Sequence, residues 1–211
     1  FNTAFWANRP GAFDVWRTIY PPLSFAFLDT FSLSGCYRDS PFHARDCDWL
    51  ARSVIYGFYL IDAGLVWLAF RRANCATAPM RAAAFALGLP LLFTLERGNL
   101  ILVALACFVV AYGDVVRSRG VTALAIAATI NFKPYLVLPA LAAGVKRHWR
   151  ALELAGIATI ALYLVTLAMV GSGTPMQIAA NTANWVLFQS GQIWGEIYFS
   201  TSYAPLLQLK V

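Results

Sequence analysis

Lys133 lies between two short apolar runs, residues 121–130 and 135–145, with Pro134 directly after it. A proline has no amide hydrogen to donate and crowds the preceding turn, so a helix breaks there. At membrane depth, broken backbone is tolerated only beside a cavity or inside protein. A charge at that depth usually faces a partner or a pathway. An ammonium so placed is suited to hold a phosphate; the plainer reading is a lysine snorkelling to the headgroups beside a helix-breaking proline. Glu96-Arg97-Gly98-Asn99 forms a second interruption between apolar runs. Arg97 offers a planar fork for phosphate oxygens, Gly98 admits close backbone approach, and Asn99 both donates and accepts. The alternative is a short polar turn between antiparallel helices, with Glu96 and Arg97 paired to each other.

Other polar residues carry weaker signals. Tyr20-Pro21-Pro22 suits the start of a helix, because proline fits the first turn, and Asp14 and Arg17 precede it. Asp62 falls inside an apolar run and needs a partner, either Arg52 or a tyrosine. Trp194, Glu196 and Tyr198 read as an interfacial helix with aromatic anchoring. Cys36 and Cys47 flank a polar loop and can form a disulfide if that loop faces an oxidising compartment, whereas Cys107 in an apolar run reads as a packing residue. His43 and His148 have no cysteine at metal-ligand spacing, so no metal site is expected. Phosphate-binding loops, nucleophile elbows, zinc-protease helices and dinucleotide fingerprints are all missing from the sequence.

The elements that must position these residues are membrane helices. Of the 211 residues, 60% are hydrophobic and 12% charged, with mean hydropathy +0.62; soluble domains carry roughly a quarter charged residues. The net charge of +6 comes in clusters between apolar runs: Arg71, Arg72 and Arg81; Arg117 and Arg119; Lys146, Arg147 and Arg150. That is the pattern of cytoplasmic loops rather than of a nucleic-acid-binding surface. About 20 apolar residues cross the hydrocarbon core. Residues 49–70, 98–116 and 152–170 meet this; 82–95 is shorter and contains Pro90; 121–130 and 135–145 are half-length. The expected fold is an all-α, polytopic transmembrane bundle with broken or short helices. Residues 1–48 are expected to form an outer loop and an interfacial segment in which 23–33 dips into the bilayer. Residues 49–171 are expected to be membrane helices, and 172–211 an outer loop and the start of a further helix. Phe1 in place of an initiator methionine and the apolar ending at 206–211 suggest an interior piece of a longer protein.

Taken in order, Tyr20-Pro21-Pro22-Leu23, Glu96-Arg97-Gly98-Asn99-Leu100 and Asn131-Phe132-Lys133-Pro134-Tyr135, followed by the basic Lys146-Arg147-His148-Trp149-Arg150, resemble glycosyltransferases of the GT-C superfamily that use polyprenyl-phosphate sugars, family 87 especially. The resemblance covers residues 20–170. It implies a multi-pass protein, in a bacterial plasma membrane, that transfers a mannose-like sugar from a polyprenyl phosphate to a glycan or glycolipid acceptor at the extracytoplasmic face. The lipid-linked donor is then a substrate and no bound cofactor is implied. By position, Lys133 and Arg97 are the expected phosphate contacts and Asn99 and Tyr20 line the site. Glu96, Asn131 and Tyr135 complete the substrate-binding set. The family's acidic general base is expected upstream of Phe1, and Asp14 is the candidate within this chain. Broken helices and an intramembrane lysine also suit a transporter or flippase of a lipid-linked or anionic solute, and a non-catalytic scaffold on the same fold is a third reading.

Overall fold

The computed structural model describes residues 2–8, 11–38, 41–145 and 149–184. They form helices and turns, with no strand among the described residues, in two compact units. The larger, residues 1–10 and 20–172, holds α1 (Asn2–Ala7), α2 (Pro22–Thr30), α3 (Pro41–Cys47), α4 (Trp49–Ala73), α5 (Ala78–Ala86), α6 (Leu89–Arg97), α7 (Ile101–Tyr112), α8 (Arg119–Phe132), α9 (Val137–Val145) and α10 (Trp149–Val170). The smaller, residues 11–19 and 173–211, contains α11 (Pro175–Asn184). In it Asn181 Nδ2 donates to the carbonyls of Phe13 at 2.8 Å and Thr18 at 3.3 Å. The expected interfacial helix around Trp194, Glu196 and Tyr198, the span beginning at 206–211, and Lys146, Arg147 and His148 lie outside the described residues.

Two helices are long and apolar enough to cross a bilayer. α4 has 25 residues and α10 has 22, which at 1.5 Å per residue exceeds the roughly 30 Å hydrocarbon core. Leu60 on α4 and Ile157, Ile160 and Met169 on α10 are 64–69% exposed. Each would forfeit about 1.5–3 kcal/mol if left in water; these are surfaces for lipid to cover. α5 and α6 qualify as a third span only as a pair bent by 44°. The bend follows from Gly88, which caps α6 in extended backbone, and Pro90 in its first turn.

The structure corrects the expected 98–116 span. α7 has 12 residues. Gly98 ends α6 in the left-handed region at φ 58°, and Asn99 and Leu100 turn the chain before α7 begins. At the other end Gly113 packs so closely that a Cβ would come 2.6 Å from the Val109 carbonyl oxygen, and Asp114 follows at φ 53°. The half-length runs are drawn as expected. α8 has 14 residues, Lys133 leaves the helical region at φ −141°, and Pro134–Leu136 forms a 3-10 turn into α9.

α8 and α10 run parallel. Arg119 at the start of α8 shares a pocket with Trp149 and Arg150 at the start of α10, and Asn131 Nδ2 near the end of α8 donates to the Thr159 carbonyl at 3.1 Å. Thr159 is the eleventh of the 22 residues of α10, so Lys133 stands about halfway along that helix. α2, nine residues long, ends beside the end of α10, since Asp29 and Thr30 share a pocket with Met169 and Val170. The segment expected to dip into the bilayer is therefore a half-length helix against the upper half of α10. Phe27 of α2 joins these short pieces by edge-on contacts to Phe132 at 5.5 Å and Phe58 at 5.8 Å.

The loop before α4 is tied down twice. Cys36 and Cys47 form a disulfide. Asp48 is fully buried and accepts from Leu33 N–H at 3.1 Å, the Tyr37 hydroxyl at 2.8 Å and Ala51 N–H at 2.9 Å; the last of these caps α4. Burial, and next the bond to Asp48, hold the Tyr37 phenol above its ordinary range.

Asp62 was expected to find Arg52 or a tyrosine, and it finds neither. Ten residues of helix separate Arg52 from it by about 15 Å, and the Arg52 guanidinium donates instead to the Asp46 carbonyl. Both Asp62 carboxyl oxygens are buried without a hydrogen-bond partner. An unsatisfied buried polar group costs about 1–3 kcal/mol. Asp62→Val should therefore raise the thermal midpoint of the purified protein, and an unchanged or lower midpoint would show that the carboxyl has a partner in the folded protein.

Candidate functional site

The site begins where α6 stops. Gly98 N–H donates to the Leu95 carbonyl and Asn99 N–H to the Thr94 carbonyl, the paired bonds of a Schellman end, which requires a left-handed residue and so favours glycine. Asn99 then caps α7: its Oδ1 accepts from Ile101 N–H at 3.1 Å, and its carbonyl accepts from Leu102 N–H. Its NH2 group makes no hydrogen bond among the described residues. The polar interruption thus has a full structural account as a helix stop and start, and that stop and start sets Arg97 and Asn99 on one rim.

Tyr20, Arg97, Gly98 and Asn99 line one pocket of about 110 Å³ with Thr3 and Leu28. Arg97 and Asn99 are exposed to it, and the Arg97 guanidinium carbon lies 4.9 Å from the centre of the Phe93 ring. Lys133 joins through Tyr20: its Nζ lies 4.9 Å from the centre of the Tyr20 ring, a cation–π distance. Lys133 is 8% exposed, so its charge is drawn out of solvent and held against an aromatic face. Tyr135 is exposed and near enough to Tyr20 for the two phenols to interact electrostatically. Among the described residues lining the pocket none is acidic. An apolar crevice adjoins it, sharing Leu28, Gly98, Asn99 and Leu100 and continuing along Phe27, Phe31, Val54 and Phe58.

Two of the expected substrate-binding residues lie elsewhere. Glu96 lines a separate pocket with Arg45, Arg52 and Tyr56. Asn131 is buried, and its amide is spent on the carbonyls of Ala127 and Thr159, which makes it the tie that sets Lys133 at mid-height on α10. Asp14 is exposed in the smaller unit, where its Oδ1 accepts from Val15 N–H. Thr3, Leu28 and the crevice around Phe27 have no signature in the sequence, being an ordinary polar residue and ordinary apolar ones. Among the described residues no group of His, Cys, Asp and Glu could hold a metal ion.

No family model, curated protein or solved structure matches this chain. What the site can do therefore rests on its own chemistry. Two cations, one in the open and one drawn out of water, flank a phenol and an amide above an apolar crevice. Such a set is complementary in charge to an anion, with apolar surface beside it.

Proposed function

We propose that this chain is the membrane-embedded part of a glycosyltransferase of the GT-C kind, moving a mannose-like sugar from a polyprenyl phosphate to a glycan or glycolipid acceptor. The observation that carries the reading is the convergence of Tyr20, Arg97 and Asn99 on one pocket with Lys133 on the Tyr20 ring. Arg97 receives phosphate oxygens in its planar fork. Lys133 opposes the charge that builds on the phosphate as the sugar leaves, the kind of stabilisation that dominates many transfer reactions. The acceptor hydroxyl needs a general base, and the resemblance calls for an acidic residue in that role.

Two independent features support an outward-facing site. A disulfide persists in oxidising compartments, and Cys36–Cys47 lies just before the start of α4. Arg71 and Arg72 lie at the other end of the same helix, where the positive-inside rule expects cytoplasm. Arg45 and Arg52, at the disulfide end, share a pocket with Glu96, which supports putting the Arg97 turn toward the outer side as well.

The lack of an acidic residue among the described residues of the pocket favours a second reading, carriage of a lipid-linked or anionic solute across the bilayer without bond cleavage. The full-length protein in liposomes containing polyprenyl phosphomannose separates the two. Transfer predicts free polyprenyl phosphate appearing in step with mannosylated acceptor. Intact lipid-linked sugar crossing the bilayer, with none of it cleaved, would sink the transferase reading in favour of carriage.

A further inference from the structure

We infer that the pocket between the first turns of α8 and α10 holds the phosphate of an anionic glycerophospholipid. This pocket of about 670 Å³ is lined by Arg117, Arg119 and Arg150, with Trp149 at its rim and Ile126 and Leu154 among its apolar walls. It is separate from the Tyr20–Arg97 pocket, and the inference needs only that the protein lies in a bilayer.

Charge is the first argument. Three arginines line one cavity with no acidic residue among its described lining, and none of the three forms an ion pair among the described residues. Arginine presents a planar fork of donors that fits phosphate oxygens two at a time. A convergence of three such forks on one cavity goes beyond what loop orientation requires, and the other basic cluster shows the difference. The Arg71 guanidinium lies 5.3 Å from the centre of the Trp67 ring on its own helix, and that of Arg81 on α5 lies 6.0 Å from the centre of the Phe70 ring on α4, so those two already rest on aromatic faces.

The second argument separates a lipid from a free phosphate. Leu154 continues into Ile157, Ala161 and Leu164, a stripe at helical spacing that is exposed along its length. It runs from the pocket along α10, as an acyl chain must. Trp149, 63% exposed, is the aromatic residue expected at headgroup level. Basic pockets between membrane helices on the cytoplasmic side are established as phospholipid headgroup sites in general.

The test uses the full-length protein in nanodiscs of phosphatidylcholine doped with phosphatidylglycerol, reading the enrichment of phosphatidylglycerol over bulk by mass spectrometry of co-purified lipid. The variant Arg117→Gln/Arg119→Gln/Arg150→Gln is expected to lose that enrichment at least tenfold. The control Arg71→Gln/Arg72→Gln/Arg81→Gln, equal in charge removed, should retain it. Millimolar inorganic phosphate should leave the bound lipid in place. Equal losses in both variants would overturn the proposal in favour of general surface charge. Displacement of the lipid by inorganic phosphate would overturn it in favour of a free-phosphate site. All six arginines extend from helix ends or loops, and a matched thermal midpoint for the two variants checks that both fold.

Discussion

Lys133→Met should slow sugar transfer by about a hundredfold, the scale of losing one preorganised charge at a developing anion, while the protein stays folded. Methionine keeps the length and apolar character of the lysine stem, so the packing beside Phe132 is retained and only the ammonium over the Tyr20 ring is lost. Removing the cation gives up its contact with the Tyr20 ring, about 0.5–2 kcal/mol, and relieves the desolvation of a buried charge, so the thermal midpoint should change little. If the charge acts on the leaving phosphate, kcat falls more than KM rises. Lys133→Arg should recover only part of the rate, because a planar fork cannot occupy the position of a compact ammonium. Wild-type rates in the methionine variant, assayed with polyprenyl phosphomannose, would remove Lys133 from the site and leave it a lysine resting on an aromatic ring.

The second large effect falls on stability. Asp48→Ala strips the acceptor from three donors at once: the amides of Leu33 and Ala51 and the hydroxyl of Tyr37. Each buried donor left unsatisfied costs about 1–3 kcal/mol, with relaxation recovering part of the sum, and the lost cap of α4 alone is worth about 1 kcal/mol. A loss of roughly 3 kcal/mol follows, read as a lower thermal midpoint in detergent or nanodiscs. The disulfide holds the loop ends together, so the loss should deepen when Cys36→Ser/Cys47→Ser is combined with Asp48→Ala. If the combined effects are merely additive, the two ties act on separate parts of the loop and the picture of one joint clasp is wrong.

How much of this could be read from the residues depended on whether a signal was local. The long apolar runs that became α4 and α10 were legible because length and hydropathy alone decide them. So was the break at Lys133-Pro134, which one proline enforces. α7 was overread: Gly98 and Gly113 are compatible with a long apolar run, and only their backbone angles and close contacts show that they cut it to 12 residues. Asp62 defeated the rule that a buried charge finds a partner, because the rule names no distance and Arg52 had a nearer carbonyl to satisfy. At the site, Tyr20, Arg97, Asn99 and Lys133 were singled out for their chemistry. Whether they meet was not written in their spacing, since Tyr20 and Lys133 are 113 positions apart along the chain. Asn131 was marked for the same polar break and proved to be a strut, a distinction that needs the position of Thr159.

The half-height seat of Lys133 on α10 also has an electrical meaning. With α10 spanning the bilayer, a headgroup that descends from outside to that level crosses about half of the membrane potential. A full elementary charge across 100 mV is worth about 2.3 kcal/mol, so an anion brought to Lys133 against an inside-negative potential gives up roughly 1 kcal/mol, a several-fold change in affinity. How much of that drop is felt depends on whether water follows the headgroup down beside the short helices. Donor affinity measured in liposomes with and without an imposed potassium diffusion potential reports it: an unchanged value would mean that the vestibule is wet to its floor and the field falls below Lys133, between the lysine and the arginines at the far ends of α8 and α10.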